Sequence, residues 1–157
     1  MFIESAVDAV QLAPRRRRTY ACPMRYQRAE YPLTLDGLDA ARSFFAGCLA
    51  DSDLSRESLW VAHVDDQARC IHLSRHSGDT CGAHFPLRSI IADAAVHGSA
   101  GLVLAHNHPS GDARPSADDC RATKRLASAA EALDCAILDH LVFAGADCSS
   151  FRGLGLL

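Results

Sequence analysis

Residues 106 to 119 read HNHPSGDARPSADD and contain side chains that are able to bind a metal ion. His106 and His108 follow an apolar run, residues 101 to 105, that is typical of a strand buried on both faces. Because residues i and i+2 of a strand point the same way, the two imidazoles can converge on one point. Asp119 is the third candidate, since the Pro/Gly-rich loop can bring it back over the histidines. Catalytic zinc sites commonly use three such ligands, so we predict a Zn²⁺ ion bound by His106, His108 and Asp119.

The same residues admit a structural interpretation. Ser116 and Asp119 have the spacing of a capping box at the start of a helix. His106 and His108 could be partly exposed residues at a strand end, hydrogen-bonded to the loop. This explanation is the better one for any single histidine, whereas the group as a whole favours the metal.

The elements that position these residues follow from hydrophobic periodicity. A helix is predicted from near Asp36 to Ala50, and a hairpin from two apolar runs on either side of Asp65. A second helix should end at Gly98, and a third should start at Ser116. The strands are predicted at residues 59–64, 70–73, 101–105 and 136–143. This order predicts a mixed α/β layered domain.

Composition limits the choice of partners. With 157 residues, 48% of them hydrophobic, the chain has the size of one domain with a single core. We expect an N-terminal arm at residues 1–33 and the folded domain at residues 34–157. The net charge of -3 does not favour nucleic acid or an anionic membrane as a general partner. The run Arg15, Arg16, Arg17 and Arg18 is a local exception that fits a solvated tail better than a nucleic-acid-binding arm.

Other features point to a soluble, cytoplasmic protein without a membrane span. No apolar stretch reaches the ~18 residues that a span needs. The seven cysteines are odd in number and contain no C-x-x-C pair, so we expect no disulfide framework. Cys81 and His84 have a C-x-x-H spacing, but one such pair in a glycine-containing loop does not favour a metal.

The wider text resembles a known family. His106-x-His108, seven residues, Ser116, two residues and Asp119 has the spacing of the JAMM (JAB1/MPN) metalloprotease motif. The segments LVLAHNHPSGDARPSADD, LDHLVFAG and SFRGLGLL resemble the RadC-like branch of that superfamily. The resemblance implies an MPN fold, a mixed sheet flanked by helices in a cytidine-deaminase-like layered architecture, and a zinc-dependent hydrolase site.

The resemblance also implies two catalytic residues. The family pattern has a glutamate at the start of an early strand, and Glu57 is the residue that matches it. Glu57 would act as general base for a zinc-activated water that cleaves a peptide or isopeptide bond. Ser116 would donate to the developing oxyanion. Without the family pattern, Glu57 could equally be an exposed residue at a strand edge.

Two departures from the family pattern affect the inference. Residues 72 to 80 read HLSRHSGDT where relatives usually have an acid and a Gly-Thr pair. The arm is also too short for the DNA-associated helix-hairpin-helix region of full-length relatives. The alternative function is a catalytically weak module, linked to DNA repair, that binds nucleic acid through Arg15 to Arg18 or binds a protein. The substrate is not encoded in any pattern that we can identify, and a homodimer is left open.

Overall fold

A computed structural model describes residues 33–77 and 85–157. The helices are α1 (Leu38–Ala50), α2 (Leu87–His97) and α3 (Ala117–Glu131). The strands are β1 (Ser58–Val64), β2 (Cys70–Ser77), β3 (Gly101–Asn107), β4 (Ala136–Ala144) and β5 (Asp147–Ser150). The predicted N-terminal arm with Arg15 to Arg18 lies outside the described residues except for Leu33, so its boundary and its nucleic-acid role stay predictions.

The strands form one mixed sheet in the order β2-β1-β3-β4-β5. Only the β3–β4 pair is parallel, and α3 makes the crossover between these two strands. β3 is the middle strand, and all of its residues are buried, as its continuous apolar sequence predicted. This topology places the C-terminal end of β3 and the N-terminus of α3 at the same end of the sheet's parallel strands.

Helices cover both faces of the sheet. α1 packs on one face, where Phe45 is fully buried beside Trp60 and Phe143. α2 and α3 cover the other face, where Ile90 and Leu126 are fully buried. The result is a three-layer α/β/α domain, so the predicted mixed α/β fold with a helix-flanked sheet is confirmed.

The sheet is larger than the sequence predicted. β2 extends to Ser77 and β3 to Asn107, and the whole of β5 was missed. β5 contains only Asp, Cys and Ser, so it has no hydrophobic alternation to reveal it. It forms because Gly145, at φ 59°, turns the chain back along β4. Among the described residues, no helix has the length and apolarity that crossing a membrane requires.

Candidate metal centre

The end of β3 and the first turn of α3 bring the three predicted ligands together. Nε2 of His106 lies 2.9 Å from Nε2 of His108. The Asp119 carboxylate completes the group, with Oδ1 3.4 Å from Nε2 of His106 and Oδ2 3.2 Å from Nε2 of His108. His106 and Asp119 are buried and His108 is half-buried, so the group opens toward solvent on one side. These residues form a His/His/Asp group of a kind that can hold a metal ion.

The hydrogen bond made by Nδ1 of His108 determines the tautomer of this ring. Nδ1 of His108 lies 2.7 Å from the backbone carbonyl oxygen of Asp112. A carbonyl oxygen only accepts, so Nδ1 carries the hydrogen. The lone pair of a neutral ring is therefore on Nε2, the atom that faces His106 and Asp119.

The tautomer of His106 is fixed through two further residues. The Thr123 hydroxyl donates its only hydrogen to the carbonyl oxygen of Asp119, at 2.7 Å. Nδ1 of His140, 2.8 Å from the Thr123 oxygen, must then be the donor of that contact. Nε2 of His140 is consequently the acceptor for Nδ1 of His106, 2.7 Å away. In a neutral His106 ring, as in a neutral His108 ring, the lone pair is therefore on Nε2, the atom that faces the group.

His140 is held neutral by its surroundings. Burial lowers the pKa of this fully buried ring well below its ordinary value. Its ring stacks on Phe151 at a centroid distance of 4.5 Å, and Phe85 contacts it edge-on. The C-terminal segment therefore covers the residue that orients His106.

Asp119 caps α3 and faces the histidines at the same time. Its Oδ2 accepts from the backbone N–H of Ser116 at 2.8 Å, and its own N–H donates to Ser116 Oγ at 3.1 Å. Burial alone would raise the pKa of the Asp119 carboxyl, but His106 and Ser116 together hold that pKa below its usual value. Asp119 can therefore cap α3 and act as a metal ligand at the same time.

Capping of α3 does not use the hydroxyl hydrogen of Ser116. Its oxygen accepts one hydrogen bond from Asp119, which uses a lone pair and not the hydroxyl hydrogen. The residue is exposed beside the Asp119 carboxylate. The hydroxyl hydrogen remains able to donate to a group bound at the site.

The loop between β3 and α3 is held in shape by its own contacts and by β5. The Arg114 guanidinium binds both carboxylate oxygens of Asp112, at 3.0 and 2.6 Å. These bonds lower the pKa of Asp112 to about 2. Ser149 of β5 donates to the carbonyl oxygen of Ala113. The missed strand thus supports the loop whose Asp112 carbonyl orients His108.

Glu57 lies immediately before β1, the strand that pairs with the end of β3. Leu59 pairs with His106 across the antiparallel β1 and β3 strands. Continued alternation from Leu59 places Glu57 on the face of the sheet that carries His106. The residue is half-buried, and its carboxylate makes no hydrogen bond or ion pair with the described part of the chain.

Asn107 fixes the backbone on both sides of Glu57. Its Oδ1 accepts from the N–H of Ser58 at 2.9 Å, and its Nδ2 donates to the carbonyl oxygen of Arg56 at 2.9 Å. Asn107 is buried and lies between the two histidines in sequence. It therefore ties the segment that carries Glu57 to the end of β3.

Comparison with known proteins decides the family. A model of the RadC-like JAB domain matches residues 36–156. The chain belongs to the RadC-like JAB domain family. This confirms the resemblance seen in the JAMM-like spacing and in the C-terminal segments. The MPN fold implied by that resemblance agrees with the mixed sheet and its flanking helices.

Relatives of this RadC-like JAB domain carry the name UPF0758 protein. The relative from Flavobacterium johnsoniae is 33% identical over 134 residues, which cover 84% of this chain and 58% of that protein. The relative from Haemophilus influenzae strain PittEE is 42% identical over 98 residues, 61% of this chain and 44% of that protein. The chain spans about half the length of these curated relatives.

Three residues near the site of this RadC-like JAB domain were not predicted from the sequence. His140 and Thr123 orient His106, and Asn107 holds the segment around Glu57. A signal existed for His140, because it is a histidine inside a mostly apolar strand. Cys81 and His84 lie outside the described residues, so nothing tests that pair.

Proposed function

We propose that this chain is a zinc-dependent hydrolase that cleaves a peptide or isopeptide bond. The observation that carries the proposal is the convergence of His106, His108 and Asp119, all three of which present lone pairs to one point. Both ring hydrogens are used on the outer side, by His140 and by the Asp112 carbonyl. A cation satisfies three acceptors that have no hydrogen between them.

The size of the group fits zinc. Zinc ligands at about 2.0–2.1 Å in a tetrahedron stand about 3.3–3.4 Å apart. Here the two Nε2 atoms are 2.9 Å apart, and they lie 3.4 Å from Oδ1 and 3.2 Å from Oδ2 of Asp119 respectively. Two imidazoles and one carboxylate leave the fourth position for water or substrate, as catalytic zinc sites require.

A shared proton is the competing explanation for the short contact between His106 and His108. One proton between the two Nε2 atoms would satisfy both nitrogens. It would not bind the Asp119 oxygens, which lie 3.4 and 3.2 Å from those nitrogens. A divalent ion interacts with all three groups at once. The donor set of N, N and O is also one that zinc accepts readily.

The residues around the group can carry out amide hydrolysis. A zinc ion bound there supplies Lewis acidity and makes water a nucleophile near neutral pH. Glu57, on the same face of the sheet, takes the proton of the attacking water and passes it to the leaving amine. The Ser116 hydroxyl donates to the oxygen that becomes negative. Asn107 keeps Glu57 in reach, and His140 holds the hydrogen of a neutral His106 ring on Nδ1.

Family membership supports the class of substrate. JAB domains include metalloproteases, so a peptide or isopeptide bond is the proposed target. We also propose a cytoplasmic location, because the seven scattered cysteines, odd in number, do not have the pattern of a secreted disulfide framework.

The proposal is tested on purified, zinc-loaded protein. We expect elemental analysis to find zinc that is lost in Asp119→Asn, because this change weakens one ligand while an amide oxygen can still accept from Ser116. A panel of peptide and isopeptide-linked substrates should show cleavage by the parent and none by Asp119→Asn. Zinc content equal in parent and variant, or no cleavage across the panel by the zinc-loaded parent, contradicts the proposal.

A further inference from the structure

A second group of metal-binding side chains lies on the same face of the sheet, far from the first. One ring nitrogen of His63, one of His72 and one carboxylate oxygen of Asp93 lie within 4.8 Å of one another. The residues come from β1, β2 and α2 respectively. Three elements that are distant in sequence therefore direct potential ligands to one point.

His63 is the central member of this group, and one of its nitrogens has no partner. The ring is fully buried. Nδ1 lies 3.0 Å from the Ser99 hydroxyl, but Nε2 makes no hydrogen bond within the described part of the chain. Buried polar groups are normally satisfied, so an unpartnered ring nitrogen beside a histidine and an aspartate needs an explanation.

We propose that His63, His72 and Asp93 form a second cation site that binds a divalent transition metal of the zinc class. With Nδ1 of His63 donating to Ser99, Nε2 presents its lone pair to the group. Two imidazoles and a carboxylate select zinc-class ions over Mg²⁺ or Ca²⁺, which prefer oxygen ligands.

The surroundings keep the site suitable for a metal. Burial, and then the neighbouring His72, lower the pKa of His63 to about 3, so the ring is in the neutral form that binds metals. His72 and Asp93 are half-buried, which gives an ion a path from solvent and lets both side chains close on it. His97, one turn beyond Asp93 on α2, stacks on the ring of His72 at 4.0 Å.

This second site has a structural role. His63 lies four residues after Leu59, the partner of His106, which corresponds to about 13 Å along a strand. That separation is far larger than the ~4 Å of two-metal catalytic sites. An ion held by β1, β2 and α2 would instead fasten the last turns of α2 to the sheet.

The first experiment counts ions in the full chain after chelation, reloading with Zn²⁺ and dialysis. We expect about two zinc ions per chain in the parent and about one in Asp93→Asn and in His72→Ser. Both substitutions are at half-buried positions, which avoids the buried His63. His76→Ser is the matched control, because His76 is another histidine of β2 and lies outside the group; it should bind as the parent does.

The counts separate this site from the first one. If the parent and Asp93→Asn bind the same number of ions, the second site does not exist. If the parent binds one ion and Asp93→Asn binds none, the ion is at the His63, His72 and Asp93 group, and the His106 group binds no zinc. A second measurement is amide hydrogen exchange: Zn²⁺ should slow exchange in α2 of the parent but not of Asp93→Asn. Equal slowing in both proteins overturns the structural role.

Discussion

Asn107 holds the backbone on both sides of Glu57 through a single side-chain amide, which bonds to Ser58 N–H and to the Arg56 carbonyl. Asn107 also stands between His106 and His108. The proposed general base and the proposed ligands are therefore fixed to one point at the end of β3.

Replacement of Asn107 by Leu removes both of these bonds. We expect turnover to fall by about 10- to 100-fold, because misplacing a catalytic group by about 1 Å is that costly. Stability should fall by about 1–3 kcal/mol, since a buried N–H and a buried carbonyl lose their partner. Zinc content should not change. Asn107→Asp is the comparison variant, because it keeps the acceptor for the Ser58 N–H and loses the Nδ2 donor to the Arg56 and Leu54 carbonyls. Full turnover in Asn107→Leu would mean that Glu57 is positioned without it.

Glu57→Gln removes the proposed base and leaves the three ligands in place. The variant should fold and bind zinc as the parent does, while turnover falls by at least about 100-fold. Zinc content and cleavage are measured on the same sample. Unchanged cleavage would assign Glu57 to the structure of the strand edge.

Thr123→Val removes the hydroxyl that accepts from His140. His140 then loses the partner that fixes its tautomer, and so does His106. We expect zinc affinity to fall by about 10- to 100-fold, as is typical when a residue behind a ligand is changed. Competition with a coloured chelator measures this affinity. Thr123→Ser keeps the hydroxyl and should bind like the parent; equal loss in both variants would indicate packing and not hydrogen bonding.

Ser116→Ala separates capping from catalysis. Loss of the bond from Asp119 N–H should cost about 1 kcal/mol of stability, read as a lower melting temperature. Loss of the hydroxyl donor should lower kcat by about 100-fold or more. A variant that is less stable yet fully active would confine Ser116 to capping of α3.

Gly101→Ala tests the start of β3. A Cβ there would lie 2.9 Å from Cγ and Cδ1 of Leu138 and 3.1 Å from Val64. Because Gly101 is closely packed by these side chains, we expect a loss of about 1–3 kcal/mol in the free energy of unfolding, measured by denaturant titration. Gly153→Ala is the control, since its nearest contact would be 3.4 Å from Ser150 Oγ. Similar stability in Gly101→Ala and the parent would show that Leu138 can move aside.

Features that depend on local geometry could be predicted from the sequence alone. Strand alternation aligned His106 with His108, and the capping box placed Asp119 in the first turn of α3. Gly98 ends α2 in a left-handed conformation, as a glycine at that position predicted. These rules act over a few residues, so they can be applied without knowing the rest of the fold.

Contacts between residues that are distant in sequence depend on how the strands and helices pack. The parallel pairing of β3 and β4 brings His140 to His106, and the β1–β3 register brings Asn107 to the segment around Glu57. The packing of α2 against β1 and β2 brings together His63, His72 and Asp93, which are spread over 31 residues of the sequence. Strand order and register minimise exposed apolar surface over the whole sheet, and no local pattern contains that information.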